Sequence, residues 1–249
     1  MKHIIKTGLV IWLLAGGVQA ERLVLDETFG LPEKVEVLSC DGANVKVKTG
    51  AGISIRSFGS FPDFAQEEIL AWGADETFRS SSKLRVKIEE GISELETSHG
   101  EIHFVKYEVE AENRGDVALT NVEAVCSIFY EKIESGVPEK KYKAVSSLKI
   151  CLHPEKPTVI KSKTVELRDE IIPGKAGVNP YDQGASVGSA STYYEDVLNG
   201  VLICLYRKNR HGEMDVREFK DGRLPKKKDR DKYKSDAVSV TQIIPSYAR

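Results

Sequence analysis

The stretch IHFVKYEVEAENRGDVALTNVEAVCSIFYEK, residues 102–132, decides the fold. From Val105 onward, apolar Val105, Tyr107, Val109 and Ala111 alternate with charged Lys106, Glu108, Glu110 and Glu112. Side chains on a strand point alternately to opposite faces, so this is a strand with one face buried and one in water. Asn113-Arg114-Gly115-Asp116 supplies a turn, and a second strand follows from about Val122 to Glu131. Its core face carries Val122, Ala124, Cys126, Ile128 and Tyr130. Such a pair must bury its apolar side against another sheet, which predicts an all-β domain.

Working outward, further runs repeat the pattern. Leu84 to Ile88 alternates, Ala144 to Leu152 and Pro157 to Leu167 follow, Val201 to Tyr206 is nearly continuous in apolar residues, and Met214 to Phe219 comes after a turn at Asn209–Gly212. In the run at 157–167, Val159, Lys161, Lys163 and Val165 read as one register. Seven or so short strands at regular spacing predict a sandwich of two antiparallel sheets over residues 80–222. Residues 168–195, rich in Gly and Pro, read as a long irregular loop.

Before residue 80 lies a smaller unit, residues 21–79. Val35–Leu38 and Val45–Lys48 flank the Asp41-Gly42 turn of a hairpin, and Ile53-Ser54-Ile55 gives a third strand. A short helix then opens at Asp63, with Gln66 completing a capping arrangement and Ala65, Ile69 and Trp72 on one face. Phe78–Ser82 reads as a join.

Three short strands and a helix ending in Trp resemble the SLA1-homology-1 (SHD1) domain, an SH3-like β module that recurs in secreted proteins of planctomycete and verrucomicrobial type. Val35, Val37, Asp41, Gly42, Val45, Val47, Gly52, Ile55, Gln66, Ile69 and Trp72 carry the likeness. Ala65 departs from it, since such modules usually hold an acidic residue there. Eukaryotic members bind a short peptide, which makes Trp72 a binding candidate, although packing of Trp72 into a small core is the plainer reading. The later region is similar to bacterial immunoglobulin-like and fibronectin-type domains through Asn113, Gly115, Asp116, Leu119, Asn121 and Val122, and through Asp196–Val201 running into Leu205-Tyr206. That resemblance implies an Ig-like sandwich without the antibody-type cysteine pair and tryptophan.

The first twenty residues begin with Lys2 and Lys6, continue through the apolar run Leu9–Ala15 and end in Gly17-Val18-Gln19-Ala20. This is the pattern of a secretory signal peptide and is too short for a membrane span, so a periplasmic or secreted protein is expected. Cleavage would move the formal charge from −2 to −4. Residues 217–234 are locally basic and the body is acidic, which argues against nucleic acid as partner of the folded part. Residues 223–249 read as a basic flexible tail, with Val238–Ile244 able to form a last strand or dock on the body.

Candidate sites are few. His99, Glu101 and His103 alternate, so one strand face could offer three ligands to a metal and support a metal-dependent hydrolase. Gly184-Ala185-Ser186-Val187-Gly188 has the letters of a nucleophile elbow but lacks the strand–helix context. Of the four cysteines, Cys40, Cys126, Cys151 and Cys204, the pair Cys126 and Cys204 lies in predicted strands and could bridge if those strands are close; burial as small hydrophobes is the alternative. Tyr181, Tyr193 and Tyr194 in the long loop are the places to expect partner contacts. No cofactor is expected. The pattern as a whole favours a non-catalytic exported protein that binds or scaffolds an envelope protein or glycan, with the hydrolase as its rival.

Overall fold

The computed structural model describes residues 22–174, 176–178, 186–188 and 190–236. The signal-like segment 1–20, Tyr181 and the run 238–244 lie outside these. The fold is all-β, with one α-helix among the described residues. No helix among the described residues is long and apolar enough to cross a membrane.

The first unit is an antiparallel sheet of β1 (Leu23–Leu25), β2 (Val35–Cys40), β3 (Asn44–Thr49) and β4 (Gly52–Ser57), paired in that order. Its inward side chains, Leu23, Leu25, Val35, Val37, Val45 and Val47, meet Ala65, Ile69 and Trp72 of helix α1 (Asp63–Arg79). Asp41 at the β2–β3 turn accepts from the N–H groups of Ala43 and Asn44, the local bonding that fixes such a tight turn. At the helix start Asp63 is the first helical residue rather than a cap, and Gln66 Nε2 donates back to the Phe61 carbonyl at 2.7 Å.

The helix is longer than the sequence suggests. It runs through the expected join, because its last turn has its own partner. Ala74 and Phe78 leave the first core and enter that of the sandwich.

The sandwich has two sheets. One pairs β5 (Leu84–Thr97), β6 (Gly100–Asn113), β9 (Thr158–Lys161), β10 (Val165–Ile172) and β13 (Thr192–Glu195), with β9 and β10 following one another along β6. A small hairpin of β11 (Ala176–Val178) and β12 (Ser186–Gly188) intervenes, and places Ser186 in a strand with no helix after it among the described residues. The second sheet pairs β15 (Met214–Asp221), β14 (Val197–Lys208), β7 (Leu119–Lys132), β8 (Lys140–Leu152) and β16 (Lys234–Ser235) in that order. Val105, Tyr107 and Val109 are 2, 1 and 0 % exposed, in one core with Val122, Ala124, Ile128 and Tyr130 of β7 and Val201, Ile203 and Leu205 of β14. The alternation at 105–111 is therefore the burial pattern of the folded protein.

Two local devices explain the turn and register. Asn113 is fully buried: its amide donates to the carbonyls of Val117 and Leu152, both at 2.9 Å, and its side-chain oxygen accepts from Gly115 N–H. Gly115 has to be small, because a Cβ there would lie 2.3 Å from Thr77 Oγ1 on the helix. The run 157–167 is not one register. Ile160 is buried on one parity, and Val165 and Leu167 on the other. The switch falls at Ser162, whose hydroxyl accepts from Tyr107 N–H and donates to the Lys163 carbonyl; between β9 and β10 the chain carries one residue more than β6 opposite it.

The basic segment after Asp221 is folded back as far as Asp236, contrary to the expectation of a flexible tail. Its charges mask one anchor: Tyr233 is buried with Phe129, Leu202 and Cys204 on the outer face of the second sheet. The Tyr233 hydroxyl donates to Glu131 at 2.6 Å, and Asn199 and Lys141 donate to the same carboxylate. Burial pushes the Glu131 carboxyl up, but these hydrogen bonds outweigh it and hold it below the ordinary glutamate range. A lowered folded value means that this contribution is complete above the ordinary pKa of about 4.3 and fades as pH falls through the lowered one. Acidification below about pH 4 is accordingly expected to move the Tyr233 ring resonances, shifted by the Phe129 ring 5.3 Å away, toward unstructured values. Glu131→Gln, which cannot titrate, should remove that pH step; a step that survives the substitution would assign it elsewhere.

Candidate binding surface

Strand parity places each candidate. On the first sheet the side that faces the second carries Ile92, Glu94 and Glu96 from β5, Glu101 and His103 from β6, Asp169 and Ile171 from β10, and Tyr193 and Glu195 from β13. Burial on that side stops at Val105 and Leu167. Beyond them, toward the Thr97–Gly100 turn, the sheet projects past its cover. Ile171 and Tyr193 are 51 and 54 % exposed there, while Ile92, on the edge strand β5 and level with Val105, is 54 % exposed. Ile171 and Tyr193 are direct cross-strand neighbours. Beside them, Glu96, Glu101, Asp169 and Glu195 fall in one row across four strands. Like charges directly opposite one another disfavour the bare sheet, so this row is not there for stability.

The opposite face of the same strands carries Tyr194, Arg168 and the exposed Leu95 and Ile172. Tyr194 lies under the Arg168 guanidinium, 5.7 Å from ring centre to charge, with its hydroxyl toward Glu134 at 3.5 Å. Around it a cleft of ≈ 220 Å³ is lined by Lys132, Tyr142, Arg168, Tyr194 and Asp196, among others. Asp196 is committed to backbone, accepting from Ile133 and Arg168 N–H at 3.1 Å each, and burial raises its pKa. Of the two tyrosines, Tyr193 is the one available to a partner.

Trp72 is 8 % exposed and belongs to the core of the first unit. One edge reaches a cleft of ≈ 840 Å³ between the first sheet, α1 and the β6–β7 turn, with Cys40, Glu76, Lys83 and Asp116 also on its wall. Burial raises the Cys40 thiol, so it is not poised as a nucleophile.

The histidine motif does not converge. His99 sits in the turn, outside β6, and is exposed. His103 stands between Glu94 on β5, at 3.6 Å, and Glu101 on its own strand, at 3.7 Å. Among the described residues no three His, Cys, Asp or Glu side chains are placed to hold a metal ion together. Gly100 begins the strand with φ 147°, a bend that takes His99 out of the alternation on which the three-ligand reading depends.

The cysteine pair is likewise separated. Cys126 lies opposite Ile203 and Cys204 opposite Val125. Neighbouring positions on a strand face opposite ways, so Cys126 points into the sandwich core and Cys204 into the outer cluster under Tyr233. Both thiols are raised by burial, Cys126 to about 12, and all four cysteines are free.

Sequence reading missed the apolar end of the sheet because Ile171 and Tyr193 fall in the stretch 168–195 that reads as an irregular loop, whereas they lie on the paired strands β10 and β13.

No protein-family model and no curated protein matches the chain. Among solved structures, one similar chain is an X-ray structure of Northeast Structural Genomics Consortium target SoR45. It is 8 % identical with a TM-score of 0.22, over 58 % of this chain and 89 % of that one.

Proposed function

We propose that the protein is a non-catalytic binding or scaffolding protein of the cell envelope, exported to the periplasm or beyond, and that it meets its partner with the projecting end of the first sandwich sheet. One observation carries the proposal: Ile171 and Tyr193, direct cross-strand neighbours, stand about half exposed on a face whose continuation at Val105 and Leu167 is buried. Apolar side chains grouped on a rigid sheet and left uncovered mark contact surfaces more often than chance exposure does. The carboxylate row beside them suits a partner with basic groups at its rim and repels a polyanion. The signal-like leader supports export.

Immobilised protein lacking residues 1–20 would be used to capture components of an envelope extract. The variants would be Ile171→Ser/Tyr193→Ala and, as a control on a distant exposed apolar residue, Ile55→Ser. The expected result is a component retained by the parent and the control and reduced at least about tenfold by the double variant, the effect of losing roughly 1.4 kcal/mol. Equal retention by all three would overturn the assignment of this surface.

A further inference from the structure

The cleft of ≈ 220 Å³ beside Tyr194 gathers more positive charge than the fold uses. Lys132 at the end of β7, Lys140 at the start of β8 and Arg168 on β10 all stand on its wall. Among the described residues neither lysine has a carboxylate at ion-pair distance. The Lys132 ammonium rests instead over the Tyr130 and Tyr142 rings, 5.9 and 5.6 Å from their centres, and those rings stack 5.8 Å apart. Arg168 donates through Nε to Glu166 at 3.1 Å, and its two terminal nitrogens have no hydrogen-bond partner among the described residues. Two carboxylates share the wall, Asp196 and Glu134. Asp196 has one oxygen on Ile133 N–H and the other on Arg168 N–H. Glu134 is freer: among the described residues its carboxylate receives the Tyr194 hydroxyl alone, at a long 3.5 Å. The lip of the cleft, residues 133–138, is held in place by β13. Ser135 N–H donates to the Tyr193 carbonyl at 2.9 Å, Tyr193 N–H to Ser135 Oγ at 3.0 Å, and Glu195 N–H to the Ile133 carbonyl at 3.1 Å. A ligand entering here would meet a surface already ordered, which keeps the entropic cost of binding low.

We infer that this cleft binds a single carboxylated sugar unit, with the carboxylate among Lys132, Lys140 and Arg168 and a sugar hydroxyl on Glu134. Charge-assisted hydrogen bonds from ammonium and guanidinium groups to an oxyanion are the strongest polar contacts such a wall can make, and the terminal nitrogens of an arginine match the two oxygens of a carboxylate. The three cations face two carboxylates on the wall, so the excess is one charge. That suits a monoanion better than a phosphate ester, which carries about −1.5 to −2. Glu134 adds the second requirement. An ionised carboxylate only accepts, so the ligand must bring donors as well as its own negative charge, and sugar hydroxyls supply them. A bare anion would leave Glu134 opposing it, and a neutral sugar would leave the cations unused. The volume equals about seven waters at ~30 Å³ each, which admits one unit and not a folded chain. No side chain of this site belongs to the Ile171–Tyr193 surface, so the two assignments stand or fall separately.

The isotope-labelled full chain would be titrated at low ionic strength with glucuronate, galacturonate, glucose and inorganic phosphate, following the amide resonances of Ile133 and Arg168, which are bonded to Asp196. The expected result is a saturable shift of both amides with at least one of the two sugar acids, at an affinity at least about tenfold above that for glucose or phosphate, the effect of one charge-assisted contact. The double variant Lys132→Gln/Arg168→Gln should weaken that binding at least about tenfold. Lys46→Gln/Lys48→Gln, which removes the same net charge from exposed positions on β3, should leave it unchanged. Glucose binding as tightly as the sugar acids would overturn the role of the cations, and phosphate binding as tightly would reduce the site to a bare anion contact and overturn the sugar. Equal loss in both double variants would overturn the location, and no saturable shift with either sugar acid would overturn the site. The comparison of ligands uses the parent chain alone, so it does not depend on how the variants fold.

Discussion

Asp75→Ala is expected to lower the unfolding free energy by about 3–5 kcal/mol, more than loss of any surface ion pair in the molecule. Asp75 is 2 % exposed on α1, and its carboxylate accepts from the guanidinium of Arg207, itself 8 % exposed on β14, and from Arg210 N–H at 3.1 Å. Burying two charges costs several kcal/mol each, which their mutual attraction only roughly offsets. Removing one partner is severe for a different reason: the remaining guanidinium stays buried without its counter-charge. In thermal unfolding the midpoint of the alanine variant should fall by roughly 10 °C, from about 2–4 °C per kcal/mol for a chain of this size. Asp75→Leu combined with Arg207→Met, which removes both charges and keeps the volume, should recover most of that loss. Removing the exposed pair Arg22–Glu36 by Arg22→Ala should change little, because screening and side-chain entropy leave such pairs worth about 0–1 kcal/mol. A double variant as unstable as the single one would show that Asp75 acts through its backbone bond to Arg210 and not as half of an ion pair.

What made the sandwich legible was period-two burial. Val105, Tyr107, Val109 and Ala111 pack as their alternation says, because a sheet with one wet face has no other way to satisfy both kinds of side chain. The same rule misled where a single residue shifts parity. Ser162 does so between β9 and β10, and Gly100 takes His99 off the strand on which its spacing seemed to place it. Cys126 and Cys204 fooled the reading in another way: their strands are neighbours, but the register between β7 and β14, invisible in the sequence, turns the thiols apart. Tyr233 was hidden by its surroundings, since one tyrosine among nine lysines and arginines reads as solvated although it finds a pocket with Phe129 and Leu202. The helix was half legible. Ala65, Ile69 and Trp72 mark one face by their spacing, whereas Ala74 and Phe78 serve a second face toward a partner that only the tertiary fold supplies. The projecting end with Ile171 and Tyr193 carries no sequence signal, because exposure there depends on where the other sheet stops.

That second face sets the other large expected effect. Phe78→Ala should cost about 3–5 kcal/mol, the usual range for truncating a fully buried aromatic, since Phe78 is 0 % exposed in the sandwich core. The more informative quantity is where the loss appears. Trp72 is the one tryptophan after the signal-like segment, and it sits one and a half helical turns upstream, in the core of the first unit. Between the two units, Arg79 pairs with Asp215 at 2.8 Å, Arg210 pairs with Glu68 at 2.8 Å, and Arg217 donates to the Phe78 and Arg79 carbonyls, closing the end of the helix against β15. A rigid helix with side chains in both cores transmits loosening at one end to the other, so the two units should unfold as one. In urea, the midpoint seen by Trp72 fluorescence and that seen by far-ultraviolet circular dichroism, dominated by the sandwich, should coincide in the parent and fall together in Phe78→Ala with unchanged slope. Independent modules would behave otherwise: the dichroism transition would move and the Trp72 transition would stay. That outcome would reduce the shared helix to a tether, and it would mean that the projecting sheet end is held by the sandwich alone.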